Sequence, residues 1–371
     1  MNKRNNKSTS HQSMNLLSRL LLMQDDSMSC FSQLMAELES DVQNISRKDF
    51  NELVSLACSN HVVVRVLEAF MKITRKTDDD LRTEWAQIAL RSEQMRISSA
   101  VDFLQEICLA FEARHFDVVV IKSLDHWPDL GSDLDLYTNA NSADVFRLMT
   151  GEIGAKIGPR SWGDRLARKW NFFIPGLNEA VEIHMGLLGQ TGEQSEIAAH
   201  LVARSQRIML DGKSFRVPSA SDRLMISTLQ RMYRHFYFRL CDIVDTIELA
   251  EFGGIDYLDL RNSSKQAGIW EGVSTYLAIV SDYAMKYRGV CLDLPQFVTN
   301  GARFGGSEIY YNRDFLRVPI LPQSASLYGS QLACLLRRRE VQNCARLSLL
   351  PCLATAALLG QKITGSDKGI W

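Results

Sequence analysis

The sequence predicts an α+β protein in which an α/β core, built on a small mixed sheet, is flanked by amino- and carboxy-terminal helical regions. Two changes of texture predict it. From about residue 14 to 112 apolar residues return every three or four positions, as in "FSQLMAELESDVQNI" and "VDFLQEICLAFEARH", which is helical spacing. After Ala113 come short runs rich in β-branched and aromatic residues, "FDVVVIK", "DLDLYT", "WNFFIP" and "AVEIHM", separated by turn residues, and these read as strands. Helical spacing returns after residue 218. The expected divisions are a disordered lead-in at 1–13, a helical region at 14–99, the α/β core at 100–218 and a second helical region at 219–371.

Taken in order, the opening "MNKRNNKSTSHQS" is polar and basic, and "MNLLSRLLLM" is short and interrupted by Arg19, which argues against a secretory signal. Within the core, "NSADVFRLMTG" predicts a helix with Ser142 as N-cap and Gly151 as terminator. "PGLNEA" (175–180) predicts an antiparallel hairpin, and "QRIMLDGKSFRVP" (206–218) another around Asp211-Gly212. "SASDRLMISTLQRMYRHFYFRLCDIVDTIELAEFG" opens with a capping signal and predicts helix as far as Gly253. The remainder reads as mostly helical, with irregular links near "QFVTNGARFGGSEIYYNRDF".

Composition excludes several classes. Lysine plus arginine number 42 against 43 aspartate plus glutamate, so no global field recruits nucleic acid or an anionic membrane. The eight cysteines (30, 58, 108, 241, 291, 334, 344 and 352) form no CxxC pair and no Cys/His group at metal-ligand spacing, and read as buried reduced thiols of a cytoplasmic protein. "LSLLPCLATAALLG" (347–360) contains Pro351 and falls short of the roughly 18 residues of a spanning helix. A buried terminal helix is expected there and no membrane partner, with Arg337, Arg338 and Arg339 as a solvated charge run.

The chemistry centres on "SLDHWPDLGSDLDLYT". On a strand, residues two apart share a face, so Asp133 and Asp135 project together while Leu134 and Leu136 enter the core. Two carboxylates on one face repel unless a cation lies between them, and a hard divalent ion such as magnesium or manganese meets that need. "AVEIHM" presents Glu182 on one face with His184, as a third acid beside an imidazole. The same spacing also suits strands whose polar faces meet water.

The apolar run "VVVIKS", the nine residues from Leu124 to Ser132 and "DLDLYT" together resemble the nucleotidyltransferase superfamily that includes DNA polymerase beta. Its signature is an apolar strand ending in Gly and Gly or Ser, a short loop, and Asp-x-Asp or Asp-x-Glu. A narrower likeness, over roughly 100–255, is to an uncharacterised bacterial nucleotidyltransferase family with Lys-Gly, Asp-x-Asp and Asp/Glu-x-His elements, carried by "IKSLDHWPDLGSDLDLYT", "VEIHMGLLG", "VPSASDRLMISTLQRMYR" and "RLCDIVDTIELA". The resemblance implies that Asp133 and Asp135 are catalytic metal ligands, that Glu182 is a catalytic metal ligand or base, and that Ser123 holds the nucleotide's phosphates; Lys122 and Ser132 are further nucleotide-binding candidates, and His184 is another, as a proton acceptor or hydrogen-bonding partner, or else makes a structural hydrogen bond. Lys122 departs from the pattern, standing where the glycine is usual. Asp-x-Asp also occurs in haloacid-dehalogenase-type phosphatases and sugar-nucleotide glycosyltransferases, but there it ends a hydrophobic strand. Here Gly131 and Ser132 precede the pair, which starts its strand.

The expected activity is metal-dependent transfer of a nucleoside monophosphate from a nucleoside triphosphate, ATP among the candidates, to an acceptor hydroxyl on a metabolite, protein or RNA. The alternatives are a nucleotide-binding or protein-interaction module without turnover, and a toxin-like enzyme modifying tRNA. Arg165, Arg168 and Lys169 offer further phosphate charge or a plain surface helix, and His126 and Asp129 either touch nucleotide or are solvated in their loop. Arg234, His235, Arg239, Asp242 and Asp245, interleaved with Tyr233, Phe236, Tyr237 and Phe238, form either a wall over the nucleotide or a core stripe.

Overall fold

The computed structural model describes residues 2–23, 31–312, 314–353 and 355–356. The amino-terminal region is helical, with α1 (Asn2–Leu22), α2 (Phe31–Asn44), α3 (Arg47–Ser59), α4 (Val63–Lys76) and α5 (Asp80–Ala113). Side-chain caps start two of them: Ser46 Oγ accepts from Asp49 N, and the Asp79 carboxylate from Arg82 N, each satisfying an amide the helix leaves over. Helix α1 begins at Asn2, inside the expected lead-in. The expected boundary at 99/100 falls within α5, a single helix of 34 residues that runs from the amino-terminal region into the core.

The core follows as β1 (Val118–Val120), β2 (Asp133–Thr138), α6 (Ser142–Phe146), β3 (Lys156–Ile157), α7 (Trp162–Leu166), β4 (Lys169–Phe173), β5 (Ala180–Met185) and α8 (Ser195–Arg204). The five strands form a mixed sheet of order β1-β2-β5-β4-β3. Strands β2 and β5 run parallel, while β1 lies antiparallel to β2, β4 to β5 and β3 to β4. The hairpin expected at 175–180 therefore joins β4 to β5. The helix cap expected at Ser142 lies one residue earlier, where Asn141 accepts from Asp144 N. Gly151 does not end that helix but sits within a π-helical turn, Arg147–Glu152, that extends it. Strands β6 (Gln206–Leu210) and β7 (Lys213–Val217) make the second expected hairpin, with Asp211 and Gly212 both at positive φ, 48° and 75°, as a tight two-residue turn of that hand demands.

The carboxy-terminal region comprises α9 (Ala220–Thr228), β8 (Tyr237–Phe238), α10 (Leu240–Phe252), α11 (Tyr257–Gln266), α12 (Trp270–Arg288), α13 (Gln296–Thr299), β9 (Tyr310–Asn312), β10 (Phe315–Arg317), α14 (Ala325–Arg337) and α15 (Val341–Ser348). The helix expected without a break to Gly253 is interrupted. After α9 it widens into a π-helix, Leu229–His235, then Phe236 turns left-handed with φ 55° and Tyr237–Phe238 becomes a strand paired with β10. Apolar spacing is the same on either side of the break, and the ladder to a strand about eighty residues later overrides it.

The helical flanks meet. Helix α1 packs on α10 and α12, Ser18 Oγ lies 2.6 Å from Tyr283 Oη, and one apolar core contains Leu17, Phe70, Phe111, Ile183, Met232 and Val273 alike. The described cysteines are all free, but Cys58, Cys291 and Cys352 are exposed rather than buried, and Cys30 lies outside the described residues. Leu347 and Leu350 of the terminal helical segment are buried, and its residues 354 and 357–360 also lie outside. Arg337, Arg338 and Arg339 are exposed. Among the described residues no helix is long and apolar enough to cross a membrane.

Candidate active site

Strand β1 leads through Ile121 into a tight turn. Ser123 N donates to Ile121 O at 2.8 Å across Lys122, which holds φ 69°, ψ −50°. That is a γ-turn of the strained hand, a conformation glycine adopts freely and lysine does not. The turn thus has a glycine-type backbone at a lysine, which adds an ammonium group there. Ser123 is buried and its hydroxyl is engaged, accepting from Asp135 N at 2.7 Å and donating to Asp133 O at 3.3 Å. It ties the turn to the start of β2.

The intervening loop is pinned by two arginines of the amino-terminal helices. Arg65 of α4 donates to His126 O and Trp127 O at 2.7 and 2.9 Å, and Arg96 of α5 to Leu130 O and Gly131 O at 3.0 and 3.4 Å. Arg96 is itself held by Glu93 and Glu179. Nothing in local spacing marks these residues, because their partners lie tens of residues away. His126 and Asp129 are not solvated. Asp129 is 1% exposed, accepts from Val64 N at 2.6 Å and pairs with Arg65, while His126 Nδ1 lies 2.5 Å from Asp245 Oδ2.

The parallel register places Asp135 opposite Glu182, and the antiparallel one sets Lys169 opposite His184. One face of the sheet therefore carries Asp133, Asp135, Glu182, His184 and Lys169. Lys122 Nζ is 2.5 Å from Asp135 Oδ1 and 3.9 Å from Glu182 Oε1, and Lys169 Nζ is 2.7 Å from Glu182 Oε2. His184 Nε2 lies 2.9 Å from Glu182 Oε1 and 3.6 Å from Asp135 Oδ1. Burial alone would raise the Glu182 carboxyl, but Lys169, the His184 hydrogen bond and Lys122 outweigh it and hold the group well below the usual carboxylate range. Enclosure by the cleft walls, and then Asp135 and Glu182, raise Asp133 above its ordinary value.

Asp135, Glu182 and His184 each offer a ligand atom, and these atoms lie within 4.8 Å of one another. Two carboxylates with an imidazole fit magnesium or, better, manganese. Asp133 is not in that group; it stands with Ser132 at the exposed mouth of the cleft, Ser132 Oγ donating to Asp133 Oδ2 at 3.4 Å.

Opposite this face, a cleft is closed by the π-helix and β8, with Arg231, Arg234, His235, Tyr237 and Arg239 in its lining. A π-helical turn sets side chains out of ordinary helical phase, and such turns recur at functional sites. Arg231 is fully buried, its Nε 2.7 Å from Asp242 Oδ2. Arg234 Nε and Arg239 Nε are buried without a hydrogen-bond partner, and among the described residues neither guanidinium has a carboxylate within ion-pair distance. Burial and the Arg234 charge hold His235 well below its usual range. Tyr237 stacks on Phe315 with centroids 4.4 Å apart.

The structure thus divides the sequence candidates. Lys122, Ser123, Ser132, Asp133, Asp135 and Glu182 share one cleft with Arg234, His235 and Arg239, and His184 adjoins it. Lys169 is buried against Glu182 rather than on a surface helix, whereas Arg165 and Arg168 are exposed and do not line the cleft. Asp242 and Asp245 serve Arg231 and the His126–Arg65 group. Arg231, absent from the sequence candidates, was hidden by its place in an apparently regular helix. No family model matches the chain, and no curated protein matches it.

Proposed function

We propose that the protein is a metal-dependent nucleotidyltransferase that moves a nucleoside monophosphate from a nucleoside triphosphate to an acceptor hydroxyl. The observation that supports this most is the pairing of two walls: the acidic pair and Glu182 on one, and on the other two guanidinium groups that have no carboxylate partner among the described residues. Unpaired arginines facing a cleft ask for an anion, and a triphosphate supplies one. The likeness of "VVVIKS" and "DLDLYT" to the nucleotidyltransferase signature points the same way.

Asp133, Asp135 and Glu182 would hold magnesium or manganese, with His184 adjoining. A divalent ion supplies charge neutralisation to the attacking and leaving oxygens together. Arg234 and Arg239 bind the triphosphate, and Lys122 adds a compact charge at the turn. Glu182 stays ionised and fixed by Lys169. The acceptor oxygen bonds to the α-phosphorus as the bond to the bridging α–β oxygen breaks, pyrophosphate leaves, and the hydroxyl proton passes to solvent water at the mouth of the cleft.

One observation favours the module without turnover. Lys122 and Lys169 already stand against Asp135 and Glu182, so ammonium groups are in position to replace a metal. Thermal melts with each of the four nucleoside triphosphates, with and without magnesium, separate the two. The enzyme reading expects one nucleotide to raise the melting temperature of the wild type only with the metal, by mass action. Asp133→Asn with Asp135→Asn should abolish that response and lower turnover by about 10³-fold, the equivalent of several kcal/mol of lost charge stabilisation. A nucleotide response that needs no metal and brings no pyrophosphate release would establish the module instead.

A further inference from the structure

His61 from the link between α3 and α4, His126 from the turn after β1, and Cys241 from the start of α10 meet beside the cleft. Each offers one ligand atom and the three atoms lie within 4.8 Å of one another. His126 Nε2 is 3.8 Å from Cys241 Sγ; bond lengths of about 2.0 Å to nitrogen and 2.3 Å to sulfur give an N···S edge of about 3.6 Å around a tetrahedral zinc ion. The other nitrogen of His126, Nδ1, lies 2.5 Å from Asp245 Oδ2. That is the carboxylate–histidine arrangement which fixes an imidazole ligand and leaves Nε2 for a metal.

The remaining members are held as closely. The His61 and His126 rings meet edge-on with centroids 5.6 Å apart, and His61 Nδ1 is buried without a hydrogen-bond partner. His61 keeps φ 54°, outside the range most residues prefer. Its ring packs closely on Gly131, where a Cβ would stand 3.2 Å from two of its ring atoms. Asn60, the preceding residue, accepts from Cys241 N at its carbonyl (3.2 Å) and from Leu240 N at its side-chain oxygen (3.0 Å). The residue that precedes one ligand is therefore hydrogen-bonded to the backbone of another.

We propose that His61, His126 and Cys241 form a second metal centre for a borderline ion such as Zn2+, apart from the carboxylate cluster. A thiolate with two imidazoles selects zinc over magnesium or calcium. Because His61 and His126 line the cleft, the fourth coordination position opens on it. The centre ties the amino-terminal helices, the loop before the acidic pair and α10 together, and binding displaces the Cys241 thiol proton.

The test uses the full chain freed of metal by a chelator, with Co2+ as the probe. One Co2+ per chain is expected to give thiolate-to-cobalt charge-transfer absorption and four-coordinate visible bands that added Zn2+ removes, in addition to any ion held by the carboxylate cluster. Cys241→Ser should lose the charge-transfer absorption although exposed Cys58, Cys291 and Cys352 remain, and Asp133→Asn with Asp135→Asn should keep it. His61→Gln, at a half-buried position, should weaken Co2+ affinity at least tenfold and serves if Cys241→Ser does not fold. Wild type without thiolate absorption, or wild-type affinity in His61→Gln, overturns the proposal. So does an unchanged spectrum in folded Cys241→Ser.

Discussion

The carboxylate cluster on β2 and β5 and the charged group around Arg65 are both enclosed, yet they are built in opposite ways. In the first, Asp135 and Glu182 from two adjacent strands meet two lysines beside Asp133, and among the described residues the Arg234 and Arg239 guanidinium groups in the cleft beyond them have no acidic partner. In the second, Arg65 meets Asp129 and Asp245, His126 meets Asp245, and Arg223 meets Asp125 at 2.7 Å. Its members come from all three regions of the chain. The first group leaves charge facing a cavity where a ligand can answer it; the second closes its charges on one another and holds the loop that carries the acidic pair. A polar cluster serves chemistry or architecture according to whether its unanswered charge faces a cavity.

If that contrast is right, the largest effect on folding belongs to the clamp. Arg65→Ala removes the cation between two enclosed aspartates, and breaking such a pair costs about 3–5 kcal/mol. Urea denaturation should show that loss, whereas Asp133→Asn with Asp135→Asn should leave the midpoint nearly unchanged. Equal losses in the two variants would erase the distinction.

A smaller effect tests strain at the site. Lys122→Gly and Lys122→Ala both remove the ammonium group, but only glycine takes positive φ without cost, so the glycine variant should be more stable than the alanine one by roughly 1–2 kcal/mol. Equal melting temperatures would mean that the turn carries no strain. Lys122→Ala should also bind Mn2+ more tightly than the wild type, since the ammonium beside Asp135 competes with the ion.

The smallest effect lies at the surface, in the pair of Arg204 with Asp259, where Arg204 Nη1 donates to Oδ1 at 2.9 Å. The hydrogen bond from Arg204 lowers the Asp259 carboxyl below its ordinary value. A depressed folded pKa contributes stability that is present above the unfolded value near 3.8 and is lost as pH falls through the folded one. Asp259→Asn should therefore melt lower than wild type at neutral pH by less than ~1 kcal/mol, and the two should converge in acid. A difference that persists at low pH would assign the effect to packing.

What the sequence determined by itself is whatever depends on near neighbours. A period of two put Asp133 with Asp135 and Glu182 with His184, "PGLNEA" and Asp211-Gly212 set two hairpins, and apolar spacing announced the helical flanks. Lys122 was legible as the residue that follows the apolar run "VVVI", although only the backbone shows that its φ is positive. Tertiary structure decided the rest. The break at Phe236 depends on a ladder to β10, and with it comes the phase that sends Arg231, Arg234 and Arg239 to one wall. Arg65, Arg96, His61 and Cys241 reach the site from distant segments, and spacing along a chain carries no information about partners that only the packed core brings within a few ångströms.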